Sequence, residues 1–290
     1  MASLRDIKLR IRSVKSTQKI TKAMEMIAAS KMKRAQNQAL KGRPYLEKLS
    51  AIIADLVFLS DPKLKHPLLE KRPHPKNIGY IFVTANRGLC GSYNTNVIRA
   101  MLDILKTKNE SQETVITVGK KGRQAMERIG KAVLADFESI PDKPSFLDTI
   151  GISRVIIDDF LAGKLDEVWM VYNHFYSTVS QKPVAVKLLP IEPNRELLPN
   201  NGKKERKSKY IFEPEKKMLL NELLHRYAET MVYQMILETV ASEQSARMMA
   251  MRTASDNAHE IVAHLTLHYN KARQAKITTQ ILEVVAGATT

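Results

Sequence analysis

Hydrophobic positions along this chain follow two different periods. Leu4, Ile7, Ile11 and Val14 recur every three or four residues, the spacing of one helix face. The stripe continues as Ile20, Met24 and Ile27, slipped by one position, and such a slip alters a supercoil locally. Towards the other end Ile261, Leu265, His268, Ala272, Ala275, Thr279, Leu282 and Ala286 alternate steps of four and three, which is heptad spacing. Their mostly small side chains predict a close-packed but weakly adhesive seam. Between these stretches the pattern changes. Residues 78–84, 114–119, 167–172 and 183–189 are short apolar runs that read as strands, while 94–105 and 145–161 read as helices. Strands separated by helices predict a small, mainly parallel, doubly wound α/β sheet.

Glycine and proline sharpen this division, because both are costly inside long helices. Residues 1–41 contain neither, and beyond Tyr210 only Pro214 and Gly287 occur. The expected organisation is a helix over 1–60, an inserted α/β domain with its connector over 61–209, and a second helix over 210–290. At 1.5 Å per residue the second helix would be on the order of 100 Å long. A helix of that length needs partners along the other arm or outside the chain. The connector, 192–209, combines Pro193, Pro199 and Gly202 with five basic residues after Gly202 and reads as polar and mobile.

The net charge of +16 asks which acidic surface the protein meets. Twelve basic residues between Arg5 and Arg43 face only Asp6 and Glu25 up to that point. Nucleic-acid backbone, anionic lipid and acidic protein loops all fit such a helix. Against nucleic acid, the arm has almost no aromatic residue on which bases could stack. A lone cysteine, Cys90, rules out an internal disulfide and fits a reducing compartment. No apolar run reaches the roughly 18 residues of a membrane span, and the N-terminus lacks the apolar core of a signal peptide. The expectation is a bacterial cytosolic protein that works beside a membrane.

Candidate chemistry is sparse. The turn from Asn86 to Asn94 follows a strand and opens a helix, where a dinucleotide-binding fold places its phosphate loop. It has Gly88 and Gly91 but neither G-x-G-x-x-G nor a Walker lysine, so a structural turn is the stronger reading. His259-Glu260 and the pair His264/His268 resemble a zincin only superficially, because no histidine stands four residues after His259. No catalytic residue, cofactor or metal site is expected. Residues 277–286 combine Ile277, Ile281, Leu282, Val284, Val285 and Ala286 with Glu283 as the one acid. That composition reads as apolar around most of the circumference, and such a helix must be enclosed. Ile281 is therefore a candidate contact.

Five segments carry a family resemblance. Residues 18–32 (QKITKAMEMIAASKM) closely resemble the N-terminal signature of F-type ATP synthase gamma subunits, and RGLCGSYN resembles the glycine turn of their central domain. The stretches 241–257 (ASEQSARMMAMRTASDN), 269–278 (YNKARQAKIT) and the closing EVVAGA resemble their C-terminal signature. The resemblance implies an antiparallel coiled coil of the two long helices, turning inside a hexamer of alpha and beta subunits, with the α/β domain near the membrane c-ring and the epsilon subunit. It implies a rotor that couples proton flow to ATP synthesis and hydrolysis, peripheral to the cytoplasmic face of the bacterial inner membrane. Lys22 and Met24 match positions beside acidic loops of the catalytic subunits. Arg247, Gln274 and Thr278 match polar contacts with a loop of a catalytic subunit. Phe212 and Glu213 match the region near the ring and the epsilon subunit. Asn86 stands where the family pattern leads one to expect aspartate, and Gln280 where glutamate is expected. A basic coiled-coil protein that binds nucleic acid is the alternative, and a Rossmann-type enzyme with helical extensions is the third reading.

Overall fold

The structure, a computed structural model, describes residues 3–59, 66–107, 112–138, 140–192 and 215–288. In chain order the elements are α1 (Leu4–Leu59), β1 (Asn77–Val83), α2 (Tyr93–Thr107), β2 (Gln112–Val118), α3 (Lys120–Arg128), β3 (Val133–Phe137), α4 (Leu147–Leu161), β4 (Glu167–Phe175), β5 (Gln181–Leu189) and α5 (Lys216–Ala288), with a single 3-10 turn at Pro67–Leu69. Two compact units result, one from residues 1–29 with 247–290 and the other from 30–246, and both long helices contribute to each.

In the larger unit the five strands lie in the order β3-β2-β1-β4-β5. All neighbours are parallel except β5, which pairs antiparallel with β4. A parallel sheet must bury both faces, so its strands carry apolar residues on both sides. Tyr80 and Phe82 point to one face, where Val97 and Met101 of α2 and Met126 of α3 cover them. Ile81 and Val83 point to the other, against Ile152, Ile156 and Phe160 of α4, Leu49, Ile53 and Leu56 of α1, and Leu224, Val232 and Ile236 of α5. The long helices are thus part of the second helical layer. They run antiparallel here: Gln234 Nε2 donates to the Ala39 carbonyl at 2.9 Å, and the later Ser50 of α1 bonds the earlier Tyr227 of α5.

Helix α1 does not stop at Gly42, where the breaker pattern begins; it runs through Gly42 and Pro44. A Cβ at 42 would lie 2.7 Å from Gln234 Oε1, so a larger residue there would have to shift the amide that bonds Ala39. Pro44 leaves the carbonyl four residues back without its usual helical donor. Helix α3 and strand β3 were not expected from the sequence. Gly119 and Gly122 bracket the start of α3 and disguise it, yet both are demanded by packing. Gly119 has φ +98°, and a Cβ there would fall 2.2 Å from the Thr84 carbonyl oxygen.

In the smaller unit Leu4, Ile7, Ile11, Val14, Gln18, Thr21, Glu25 and Ala28 of α1 are less exposed at heptad spacing, with Met24 and Ala29 half-buried beside them. Of the three residues of the expected slipped stripe, only Met24 is half-buried. The seam takes polar Gln18, Thr21 and Glu25 in stride, with Gln18 Nε2 3.5 Å from His259 Nδ1 of α5, while Ile20 and Ile27 point outwards at 57% and 55% exposure. On α5 the seam is Met251, Ser255, Ala258, Val262, Leu265, Tyr269 and Ala272. It shares Leu265 and Ala272 with the expected register but replaces Ile261 and His268, both exposed, by their neighbours. Hydropathy alone cannot separate a seam from an outward apolar row.

A polar clasp closes the sheet domain. Arg72 donates to Asp166 Oδ1 at 2.6 Å and to the carbonyls of Leu165 and Phe160, while Asp166 Oδ2 accepts the backbone N–H groups of Lys76 and Asn77. Burial by itself would raise the Asp166 carboxyl, but the Arg72 guanidinium and the two N–H donors outweigh it and hold its pKa below the ordinary range. Stability from this group is therefore present above the unfolded-state pKa and is lost as pH falls through the folded one. Asp166→Ala is expected to cost about 1–3 kcal/mol near neutral pH, with the difference from wild type shrinking in acid. Urea unfolding at a series of pH values measures this, and a gap that stays constant into acid would refute it.

Candidate functional site

The turn after β1 is where chemistry would be sought first, and its polar groups are consumed internally. Asn94 Oδ1 accepts the Ala85 N–H at 3.0 Å, and Asn94 Nδ2 reaches Cys90 Sγ at 3.3 Å. Asn86 Oδ1 accepts the Lys120 N–H at 3.0 Å, and its Nδ2 donates to the Glu138 carbonyl at 2.9 Å. One amide thereby ties the ends of β1 and β3 to the start of α3. An aspartate could accept but not donate, which accounts for asparagine at this position.

In a doubly wound sheet, ligands enter the crevice at the carboxyl ends of the strands where the order reverses, here between β1 and β4. That crevice is filled by the chain itself. Asn173 at the end of β4 donates to the Tyr93 carbonyl at 3.1 Å, and Tyr93, 4% exposed, reaches the Thr239 carbonyl of α5 with its hydroxyl at 3.4 Å. Ala85 and Cys90 close the remaining space beneath Ala246 of α5. The start of α3 is likewise occupied, since Gly122 N–H donates to Thr84 Oγ1 at 2.7 Å.

The candidate contact residues lie on the long helices. Lys22 is exposed on α1 and pairs with Glu25 at 3.0 Å, and Met24 is half-buried. Beside Lys22 a shallow groove of about 480 Å³ is lined by Gln18, Lys19, Ser255, Asp256, His259 and Glu260. Arg247 is half-buried, whereas Gln274, Thr278 and Ile281 are exposed one turn apart on a single face of α5. Thr278 Oγ1 donates to the Gln274 carbonyl at 3.0 Å. Arg247 and Gln274 are about 40 Å apart along the helix axis, so they are separate contact points. Phe212 and Glu213 lie outside the described residues.

From Arg273 to Val285 every residue of α5 is exposed. Ile277, Ile281, Leu282, Val284 and Val285 show 46–72% of their surface. At 100° per residue these five cover about 160° of the helix, with Lys276, Thr279, Gln280 and Glu283 opposite. The tip thus carries one wide apolar face rather than an apolar circumference.

A family model described as ATP synthase matches residues 3–290. An ATP synthase gamma chain of Dehalococcoides mccartyi is 49% identical over 289 residues, covering 99% of both chains. One of Cupriavidus necator is 43% identical over 292 residues, again covering 99% of both. The chain belongs to the ATP synthase gamma chain family.

Among solved structures, the central stalk and c-ring part of Tetrahymena thermophila mitochondrial ATP synthase contains a chain with a TM-score of 0.62 at 27% identity, covering 81% of this chain and 99% of that one. A chain of the Euglena gracilis enzyme has a TM-score of 0.66 at 20% identity, covering 99% and 93%, a likeness of fold. The expected α/β class, with long terminal helices around an inserted doubly wound sheet, matches these relatives. As a gamma chain the protein is a non-catalytic subunit of a membrane-bound complex, and the nucleic-acid reading receives no support. Among the described residues no helix is long and apolar enough to cross a membrane.

The Asn86 tie can be tested directly. Asn86→Asp keeps the acceptor for Lys120 but loses the donor to Glu138, and is expected to lower stability by about 0.5–1.5 kcal/mol. Thermal melting reads this out. A variant as stable as wild type would mean that the amide is not what ties the strand ends together.

Proposed function

We propose that the chain is the central rotor shaft of a bacterial F-type ATP synthase. It couples proton-driven rotation of the c-ring to ATP synthesis, and ATP hydrolysis to the reverse rotation. Its partners are the alpha and beta subunits around the long helices, and the epsilon subunit and c-ring at the other end, on the cytoplasmic face of the cell membrane. Association with the membrane is indirect, through the complex. The observation that carries this reading is the end of α5, where among the described residues five large apolar side chains keep 46–72% of their surface exposed. Such a face requires enclosure by another protein. Near it the surface has Lys276 as its one cation after Arg273, and Glu283 as its one anion. Few ion pairs would then have to break as the shaft turns.

Lys22 and Met24 would face acidic loops of the catalytic subunits, and Arg247, Gln274 and Thr278 would hydrogen-bond a catalytic subunit at two levels of the shaft. Phe212 and Glu213 are assigned to the ring and epsilon end. A bead fixed to this chain in the assembled complex, and turning when ATP is supplied, tests the reading as a whole.

Two substitutions test the surfaces. Ile281→Arg places a charge on the apolar tip, whose burial without a partner is unfavourable, whereas Ile281→Ala mainly removes packing. Arginine should slow single-molecule rotation or impair subunit co-elution more than alanine does. Equal tolerance in both assays would show that no close sleeve surrounds the tip.

Arg247 offers a planar fork that lysine cannot reproduce. Arg247→Lys should lower steady-state turnover of the assembled complex more than the exposed Lys271→Arg does. Equal turnover in the two variants would remove Arg247 from the contact set.

A further inference from the structure

We propose that Glu238 is a torque-bearing tie between the α/β domain and the paired helices, a positioning residue for rotary coupling; this rests on the rotor reading above. Its carboxylate, 13% exposed, lies between three elements. From β4, His174 Nδ1 is 2.8 Å from Oε2, and the Tyr172 hydroxyl is 3.4 Å from the same oxygen. From α1, Arg43 Nη2 is 3.5 Å from Oε1. An ionised carboxylate only accepts, so Nδ1 of His174 carries a proton in this arrangement. Two turns further along α5, Ser245 Oγ donates to the Thr178 carbonyl at 2.8 Å and receives Gln181 Nε2 at 3.3 Å, holding the β4–β5 hairpin.

Much of this junction is apolar, with Leu224, Val232 and Ile236 of α5 packed into the core beneath the sheet, and its other polar ties include the Tyr93 hydroxyl on the Thr239 carbonyl and Lys31 on Asp142. Apolar burial is non-directional and opposes separation more than sliding. Torque about the helix axis reaches this junction as sliding. Hydrogen bonds weaken steeply when their geometry turns, so the Glu238 cluster resists the motion that apolar packing permits. Burial raises the Tyr172 hydroxyl pKa, and the neighbouring Glu238 charge raises it further, so the hydroxyl stays a neutral donor. One carboxylate thereby cross-links sheet, α1 and α5 within a single unit, 30–246.

The test uses the assembled complex with its catalytic subunits fixed to glass. A bead is attached through Ile129→Cys, a site 45% exposed on the α/β domain, while the native Cys90 is buried. With rotation arrested in one nucleotide state, the angular variance of the bead reads torsional stiffness. Charge-assisted hydrogen bonds are roughly twice as strong as neutral ones, so Glu238→Gln should raise the variance about twofold. Unloaded hydrolysis and the melting temperature of the complex should stay at wild-type values. Arg43→Met should raise the variance too, and the double variant should add less than the sum of the two, because both act on one network. Unchanged variance in Glu238→Gln overturns the proposal, as does a rise matched by a fall in melting temperature, which would be general loosening. Glu238→Gln keeps the size of the side chain, so it decides the matter even where Glu238→Ala fails to assemble. Failure of the wild-type bead to rotate with ATP would instead sink the rotor reading, a result distinct from any change confined to the variants.

Discussion

Burial of the second face of the sheet is the constraint on which the larger unit depends. Helices α2 and α3 cover the face of Tyr80 and Phe82, which among the described residues leaves α4 as the only short α-helix for the face of Ile81, Val83, Ile116 and Val118. One helix cannot cover five strands. The deficit is made up by Leu49, Ile53 and Leu56 of α1 and by Leu224, Val232 and Ile236 of α5. Each fully buried side chain of this kind contributes about 1.5–3 kcal/mol. The domain therefore cannot complete its core without the two helices that leave it.

The same packing removes the ligand site that this architecture usually offers. A fold hosts many functions, and what it does is decided by the site grafted onto it. Here the crevice between β1 and β4 is closed by Tyr93, Asn173 and the backbone of α5 around Thr239. The glycine turn keeps the shape of a phosphate loop, but Asn86 and Asn94 have taken up its hydrogen-bonding capacity. The sheet serves as a body on which helices are mounted.

Along the helices the balance is reversed. In the smaller unit the seam includes Gln18, Thr21, Glu25, Ser255, Ala258 and Ala272, small or polar side chains that contribute little apolar burial. The larger apolar residues Leu9, Ile20, Met26 and Ile27 lie outside the seam, more than half exposed. A helix pair of that kind is held modestly by itself and presents its stickier surface to neighbours. Amphipathicity here is divided between an inner seam and an outer row, and the outer row awaits other proteins.

The sequence by itself determined the class of the fold, the long helices, four of the five strands and two of the three short helices, because periodicity and the absence of breakers are local properties of the chain. It also carried the family, through segments at both ends and in the glycine turn. Tertiary structure decided the rest. Gly119 and Gly122 hid the start of α3, yet a Cβ at either would crowd Thr84 or Phe82, residues distant in sequence. The heptad register was misjudged where Ile20 and Ile261 competed with Thr21 and Val262 for the seam, since hydropathy ranks residues but cannot say which face meets the other helix. Glu238 was invisible as well, because its partners, Arg43, Tyr172 and His174, come together only when the sheet docks onto both helices. Contacts between residues far apart in sequence leave no periodic trace, and they are what close the crevice and join the domain to the shaft.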